Sequence, residues 1–291
     1  MKKILYILIF LFSCDELDQQ FGVEEFEDSF SYYDFIAYGW GEVFNGDKVL
    51  ALDYFDQALN SYDITYYNSA VVGMGWAVTY KANNLLNTSE CIDNVEDCTD
   101  TVDQYRNNAK CYFYQSSLNE DLSLQNSAQI LEWCNQDDVD IDNLYNSVDF
   151  MSLELEDMVT YYTDCVDEDG NPYVSCFENF IIDLKVGYIY LEYLSYIQSI
   201  LDDSIEDESI DDIIALFEQF YTSYSSYDIM EDKSNYTTDY TLTYKNIASL
   251  ISTLYLNSGN YSSSCEYAQY SCEDLICDGN ILNLIDCLGS F

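Results

Sequence analysis

Apolar residues recur at helical spacing along most of the chain. Between positions 31 and 44 they stand three or four residues apart, and Asn45-Gly46-Asp47 interrupts this pattern. A helix places such residues on one face, so the spacing predicts an amphipathic helix. Gly46 predicts its C-cap, and Asp47 predicts the N-cap of a second helix that ends near Leu59. The same spacing predicts further helices over about 65–86, 122–134, 151–163, 177–202 and 210–227. We therefore expect an all-α protein.

Two short patterns repeat within the first 120 residues. Tyr38-Gly39-Trp40-Gly41 aligns with Val72-Gly73-Met74-Gly75 at an offset of 34 residues. Ala51, Phe55 and Ala58 align with a second set at an offset of 58 residues, namely Ala109, Phe113 and Ser116. Because the second offset is 24 residues longer, we expect an insertion before the second set. That insertion contains Cys91 and Cys98.

These small and aromatic residues resemble the tetratricopeptide repeat family, although no boundary proline follows Ala58. The resemblance implies a short right-handed solenoid of antiparallel helix pairs, with disulfide-stapled loops. It covers 31–82 best, and degenerate repeats extend to 275. In this family the first helices of successive pairs line a concave groove that binds peptides or proteins. The resemblance places these residues in the groove: Tyr33, Ile36, Trp40, Phe44, Tyr67, Met74 and Val78. For Trp40 and Phe44, packing in the core between helices is an equal alternative.

The first fourteen residues have the pattern of an export signal. Met1-Lys2-Lys3 is positively charged, and the nine apolar residues 4–12 are too few to span a bilayer as a helix. Leu11-Phe12-Ser13-Cys14 resembles the lipobox of bacterial lipoproteins, which implies lipid attachment at Cys14. An ordinary secreted protein is the alternative. We expect a signal peptide over 1–14, a tether over 15–28 and a helical-repeat domain over 29–291. The expected location is the bacterial cell envelope, anchored by lipid in the outer membrane, on its periplasmic or surface face.

Eleven cysteines fit an oxidising compartment. Without Cys14 they number ten, and an even number is typical of disulfide bonding. Two pairs flank short polar loops and are the preferred bridges, namely Cys91 with Cys98 and Cys165 with Cys176. The alternative for a later group is a zinc site, although its spacing lacks a Cys-x-x-Cys pair. That group is Cys265, Cys272, Cys277 and Cys287.

The charge balance excludes several classes of function. Asp and Glu total 54 against 9 Lys and Arg, a formal net charge of −45. Such a chain repels phosphate backbones, so we expect no nucleic-acid partner. Histidine is absent, which excludes Ser-His-Asp and Cys-His catalysis. Pairs of carboxylates occur throughout, so none identifies a hydrolase site. We expect a protein that is not an enzyme and that requires no cofactor.

One acidic segment has the alternation of a calcium loop. Its candidate ligands are Asp138, Asp140, Asp142 and Asp149, with Asn143 at the position usually held by glycine. With 54 acidic residues such spacing also arises by chance, so a solvated loop is the alternative. A second acidic loop, Asp167 to Pro172, lies between Cys165 and Cys176 and favours a stapled hairpin.

These features together predict a lipid-anchored interaction scaffold that holds a basic or neutral partner segment in an aromatic groove with an acidic rim. The alternative is a surface lipoprotein that binds glycans or nutrients, because 30 tyrosines offer rings on which sugars stack. A calcium-dependent structural module is a third possibility. The sequence does not identify the partner.

Overall fold

In the computed structural model, the described residues are 30–60, 64–86, 88, 95–118, 124–153, 178–201, 210–224, 244–272, 275–277 and 281–288. These residues form eleven α-helices and no strand, which confirms the all-α prediction. The helices are α1 (Tyr32–Asn45), α2 (Lys48–Leu59), α3 (Ile64–Leu86), α4 (Val95–Ser117), α5 (Ser127–Cys134), α6 (Ile141–Asn146), α7 (Glu178–Leu201), α8 (Ile210–Tyr224), α9 (Tyr244–Ser258), α10 (Tyr261–Ser271) and α11 (Ile281–Leu288), with a 3₁₀ turn at Phe150–Ser152.

The first two helices begin and end where the sequence predicts. Ser31 caps α1 by accepting a hydrogen bond from the Asp34 N–H, and Asp34 accepts one from the Ser31 N–H in return. Gly46 ends this helix in the left-handed conformation, with φ of 77°. Asp47 then accepts a hydrogen bond from the Leu50 N–H and caps α2. Local side-chain chemistry therefore determines these boundaries.

The chain divides into two units, one of described residues 30–201 and one of described residues 210–288. In the N-terminal unit, α1 packs on α2 and α3, and α3 packs on α2 and α4. Helix α7 lies against both α3 and α4, while the short α5 and α6 pack on α4. Helix α3 thus contacts four other helices, which explains why it is buried around most of its circumference.

Two phenylalanines occupy equivalent slots between glycines of this unit. The Phe55 ring of α2 lies so close to α1 and α3 that a methyl group at Gly39 would be 2.5 Å from its Cε1, and one at Gly73 2.2 Å from its Cζ. The Phe113 ring of α4 lies in the same way between Gly75 of α3 and Gly187 of α7. A methyl group at Gly75 would be 2.4 Å from its Cε1, and one at Gly187 would be 2.5 Å from its Cζ. Only glycine leaves room for the rings, so the slots determine how closely these helices approach.

The contacts between glycines and phenylalanines differ from the 34-residue alignment of the sequence. Gly39 of α1 lies against Phe55 of α2, the next helix along the chain. In α3 the glycine that lies against the phenylalanine of its next helix, Phe113 of α4, is Gly75. The 34-residue alignment pairs Gly39 with Gly73 instead, and Gly73 lies against the same Phe55 ring as Gly39. Gly187 completes the second slot, and sequence reasoning missed it because α7 is far along the chain and shows no repeat spacing.

The C-terminal unit is built from four shorter helices in sequence order. Helix α8 packs on α9, α9 on α10, and α10 on α11. Two disulfides connect its last helices and the segment between them, Cys265–Cys277 and Cys272–Cys287. Between α9 and α10 the buried hydroxyls of Ser252 and Ser264 lie 3.0 Å apart, and each also donates to the other residue's carbonyl oxygen.

Some sequence-based boundaries differ from the structure. Helix α4 already begins at Val95, so Cys98 lies on a helix and the described part of the predicted insertion from Val95 onward is helical. The segment predicted as a calcium loop contains α6. Of the helix predicted over 151–163, residues 151–152 belong to the 3₁₀ turn and those beyond 153 lie outside the described residues. No described helix is long and apolar enough to cross a membrane.

Candidate functional site

The predicted groove residues lie mostly in the interior. Ile36 of α1 is buried, and so are three residues of α3, Tyr67, Met74 and Val78. The exposed fraction is 7% for Ile36 and 2% or less for the others. A partner cannot reach these side chains, so their assignment to a groove is corrected to a core role. The reason is tertiary, because α3 is enclosed by α1, α2, α4 and α7.

Trp40 is the groove candidate that remains partly exposed. Its ring meets Phe55 edge to face, with the ring centroids 6.0 Å apart, so one side of the indole belongs to the core. Tyr33 and Phe44 belong to α1, but their side chains lie outside the described part of the structure. The groove as first predicted therefore does not assemble from the side chains that are described.

The predicted calcium ligands do not converge either. Asp140 caps α6 by accepting from the Asn143 N–H, and Asp149 caps the 3₁₀ turn by accepting from the Ser152 N–H. Asp142 forms an ion pair with Lys110, at 2.5 Å. Asp138 is exposed, and within the described ranges no three metal-binding side chains come together. Asp140, Asp142 and Asp149 thus have structural roles, and the four carboxylates do not form a calcium site in the described part of the chain.

The cysteine group with zinc-like composition is disulfide-bonded, which corrects the zinc alternative. The structure adds a bridge that the sequence analysis did not propose, Cys111–Cys134, which joins α4 to α5. Cys98 is also disulfide-bonded, and its predicted partner Cys91 lies outside the described residues. Cys14, Cys165 and Cys176 lie outside them as well, so those assignments stay predictions.

A row of aromatic side chains runs along α1 and α2, in which Phe30 and Tyr38 are exposed while Phe35 and Tyr54 are half-buried. We call it the aromatic ridge, and it consists of Phe30, Phe35, Tyr38 and Tyr54. Phe30 contacts Phe35 and Tyr38 at centroid distances of 6.0 and 5.8 Å, and Tyr38 contacts Tyr54 of α2 at 5.5 Å. Phe30 is 52% exposed and Tyr38 is 46% exposed, so these rings are accessible to a partner.

Carboxylates border the ridge. Asp34 and Glu42 lie four residues before and after Tyr38 on α1, and positions four apart share one helix face. Asp53 precedes Tyr54 on α2 and is exposed. The ridge therefore combines accessible rings with negative charge. The i, i+4 order of acid, aromatic and acid was the signal that could have identified it in the sequence.

A second aromatic group closes the junction of α3 and α7. Trp76 donates its indole N–H to the Asp183 carbonyl oxygen at 2.8 Å and stacks on Tyr190, with the centroids 5.8 Å apart. Burial, with Asp183 nearby, raises the pKa of Tyr80 well above its usual range, and burial raises that of Tyr193 to about 12. These tyrosines stay neutral, so the group stabilises helix packing and offers no acid or base near neutral pH.

Comparison with known proteins adds no relative. The chain matches no protein-family model, no curated protein and no solved structure, so its interpretation depends on the sequence and the geometry described above.

Proposed function

We propose that this protein is a lipid-anchored interaction scaffold of the bacterial cell envelope that binds a basic or neutral segment of a partner protein on the aromatic ridge. The observation that carries this proposal is the contrast within α1. Its inner face, with Ile36 and Val43, is closed, while Phe30 and Tyr38 stay accessible next to carboxylates. Large rings of this kind dominate the energetics of protein interfaces.

One feature of the fold supports a tetratricopeptide-like arrangement. The slot that holds Phe55 recurs around Phe113, which supports the interpretation of α1 with α2 and of α3 with α4 as successive helix pairs, and of α7 as the start of a third. Such stacking leaves the outer face of the first pair without a preceding repeat. The ridge lies on this first pair, where a partner segment would extend the stack.

The anchoring part of the proposal depends on the N-terminal pattern that ends at Cys14. Several bridges support an oxidising compartment, since disulfides persist outside the reducing cytosol. A test is to express the full chain and its Cys14→Ser variant in a bacterial host. We expect the wild type in the membrane fraction with a mass increase from acyl chains, and the variant released. A wild-type chain without acyl mass would contradict lipid attachment.

The ridge is tested by photo-crosslinking in native envelope, with the crosslinker placed at position 35. We compare wild type with a Tyr38→Ala, Tyr54→Ala variant. Tyr261→Ala is the matched control, because it removes a tyrosine that is 54% exposed in the other unit. We expect a specific crosslinked protein that the double variant loses at least tenfold and that the control retains.

Folding is checked by circular dichroism before these yields are compared. Equal crosslinking of the same protein by the double variant would show that the ridge is not the binding surface. A glycan array with the wild-type protein tests the alternative function, a surface lipoprotein that binds glycans. Strong sugar binding without any crosslinked protein would replace the scaffold with a glycan-binding role.

A further inference from the structure

The C-terminal unit holds a carboxylate surrounded by tyrosines. Glu218 of α8 accepts hydrogen bonds at the same oxygen, Oε1, from the hydroxyls of Tyr255 and Tyr267, at 2.6 and 2.8 Å. Those two rings stack with their centroids 5.8 Å apart. Within the described residues, Oε2 of Glu218 has no hydrogen-bond or ion-pair partner, and the side chain is only half-buried. One acceptor oxygen of the carboxylate is therefore available.

Two further rings, those of Tyr221 and Tyr270, contact the ring of Tyr267. Tyr221 is three residues from Glu218 on α8, and Tyr270 is three residues from Tyr267 on α10, so two i, i+3 pairs face each other. Tyr221 lies 5.6 Å from both Tyr267 and Tyr270, and the ring planes are inclined by 75° and 63°. Inclined tyrosine rings near a carboxylate are the surroundings that organic cations favour. Tyr270 is 51% exposed, so this corner is open to solvent.

The electrostatics of this unit favour a positive ligand. The negative charges of Asp211 and Glu266, together with that of Glu218, help to raise the pKa of Tyr255. No Lys or Arg occurs among the described side chains of the unit. Its one basic residue in a described helix, Lys245, lies ten positions before Tyr255, which is about 15 Å along α9. The carboxylate is thus without a nearby counter-charge from the described residues.

The tyrosine hydroxyls keep their role as donors over a wide range of pH. Burial and the hydrogen bond to Glu218 raise the pKa of Tyr255 to about 12, and the same causes raise that of Tyr267 further. Both groups remain protonated near neutral pH. Glu218 is therefore held by two hydrogen-bond donors at Oε1, which leaves Oε2 as the acceptor without a partner among the described residues.

We propose that Glu218, Tyr267 and Tyr270, supported by Tyr221 and Tyr255, form a binding site for an organic cation, an ammonium or guanidinium group. The cation would donate to Oε2 of Glu218 and lie against the accessible ring of Tyr270. A lysine or arginine side chain of a peptide and a free polyamine share this chemistry. The site is independent of the aromatic ridge, because it lies in the other unit.

The test measures binding of two probes to the full chain by calorimetry in 0.3 M salt, where the attraction of a −45 chain for any cation is screened to within about 6 Å. The probes are N-acetyl-lysine methylamide and spermidine, and N-acetyl-norleucine methylamide is the neutral control. Glu218→Gln keeps an acceptor for both tyrosines and removes the charge. Glu132→Gln removes one exposed carboxylate from α5 and is the matched control.

We expect the cationic probes to bind and the neutral one not to. Glu218→Gln weakens binding at least tenfold, Tyr270→Leu weakens it about threefold, and Glu132→Gln leaves it unchanged. Tighter binding of lysine methylamide indicates a peptide ligand, and tighter binding of spermidine indicates a polyamine. Absence of binding to the folded wild type, or equal losses in Glu218→Gln and Glu132→Gln, would overturn the proposal. Crosslinking at the ridge is unaffected by either result, so the two proposals fail separately.

Discussion

The two units of this protein are stabilised in different ways. The N-terminal unit uses shape, because the rings of Phe55 and Phe113 fill slots that glycines leave open between long helices. In the C-terminal unit the helices α10 and α11 are short, and their shared core contains Ala268, Leu284 and Leu288. Two disulfides, and the hydrogen bonds that the Ser252 and Ser264 hydroxyls donate to backbone carbonyl oxygens, supplement that small core. Short helices bury little apolar surface each, so covalent and polar links add a larger share of their stability.

The largest expected effect comes from removing both bridges of the C-terminal unit, by Cys→Ser at 265, 272, 277 and 287. Their loops span 12 and 15 residues. Loop entropy then predicts a loss of about 3 kcal/mol per bridge. By hydrogen exchange we expect α10 and α11 to lose protection while α1 to α3 keep theirs. Equal losses in α1 to α3 would show that the two units do not differ in this way.

Removing a ring from a slot tests the N-terminal unit. Phe55→Ala and Phe113→Ala each empty a fully buried position, for which we expect a loss of about 3–5 kcal/mol in the free energy of unfolding. Urea unfolding followed by tryptophan fluorescence measures it, since Trp40 contacts Phe55. Values below about 1 kcal/mol for both variants would mean that the slots do not organise this unit.

A smaller effect separates two glycines of α1. Gly39→Ala places a methyl group 2.5 Å from the Phe55 ring, and we expect it to destabilise the protein by about 1–3 kcal/mol. A methyl group added at Gly41 would have no neighbouring atom within 4 Å. Gly41→Ala should therefore stabilise α1 by up to about 1 kcal/mol, because alanine favours the helix more than glycine does. Thermal unfolding compares the two. The same sign for both substitutions would contradict the slot at Gly39.

The smallest effect concerns tyrosine ionisation. Tyr193 in the N-terminal unit and Tyr255 in the C-terminal unit both have a pKa of about 12, but a hydrogen bond to Glu218 contributes only to the second. Glu218→Gln should therefore lower the pKa of Tyr255 and leave that of Tyr193 unchanged. A titration of ¹³Cζ-labelled tyrosine by NMR measures both values. Equal shifts of both, or none, would remove Glu218 as a cause.

The same raised pKa has a consequence for stability. The unfolded chain loses the tyrosine proton near pH 10, while folded Tyr255 keeps its proton up to about pH 12. The folded state thus binds more protons in this interval, so stability should fall as pH rises from 10 to 12. Tyr255→Phe should reduce the slope of melting temperature against pH there.

Local signals predicted the helices better than the site. Gly46 and Asp47 determine the end of α1 and the start of α2 through side chains and backbone a few residues away, and both caps were predicted from the sequence. Sequence analysis also recognised Phe55 and Phe113 as equivalent, since their neighbours repeat. It placed Tyr67, Met74 and Val78 at a surface because the enclosure of α3 by four helices depends on contacts distant in the chain.

The helical class, the caps at Gly46 and Asp47, the acidic character and the equivalence of Phe55 and Phe113 can be predicted from the chain alone, because each follows from residue type and short-range spacing. Which glycine meets which ring, which cysteines pair and which aromatic side chains remain exposed depends on the packing of the helices. Gly187 reaches Phe113 across 74 residues, and Glu218 meets Tyr267 across 49. Contacts of that range depend on how whole helices pack, which no local pattern in the chain specifies.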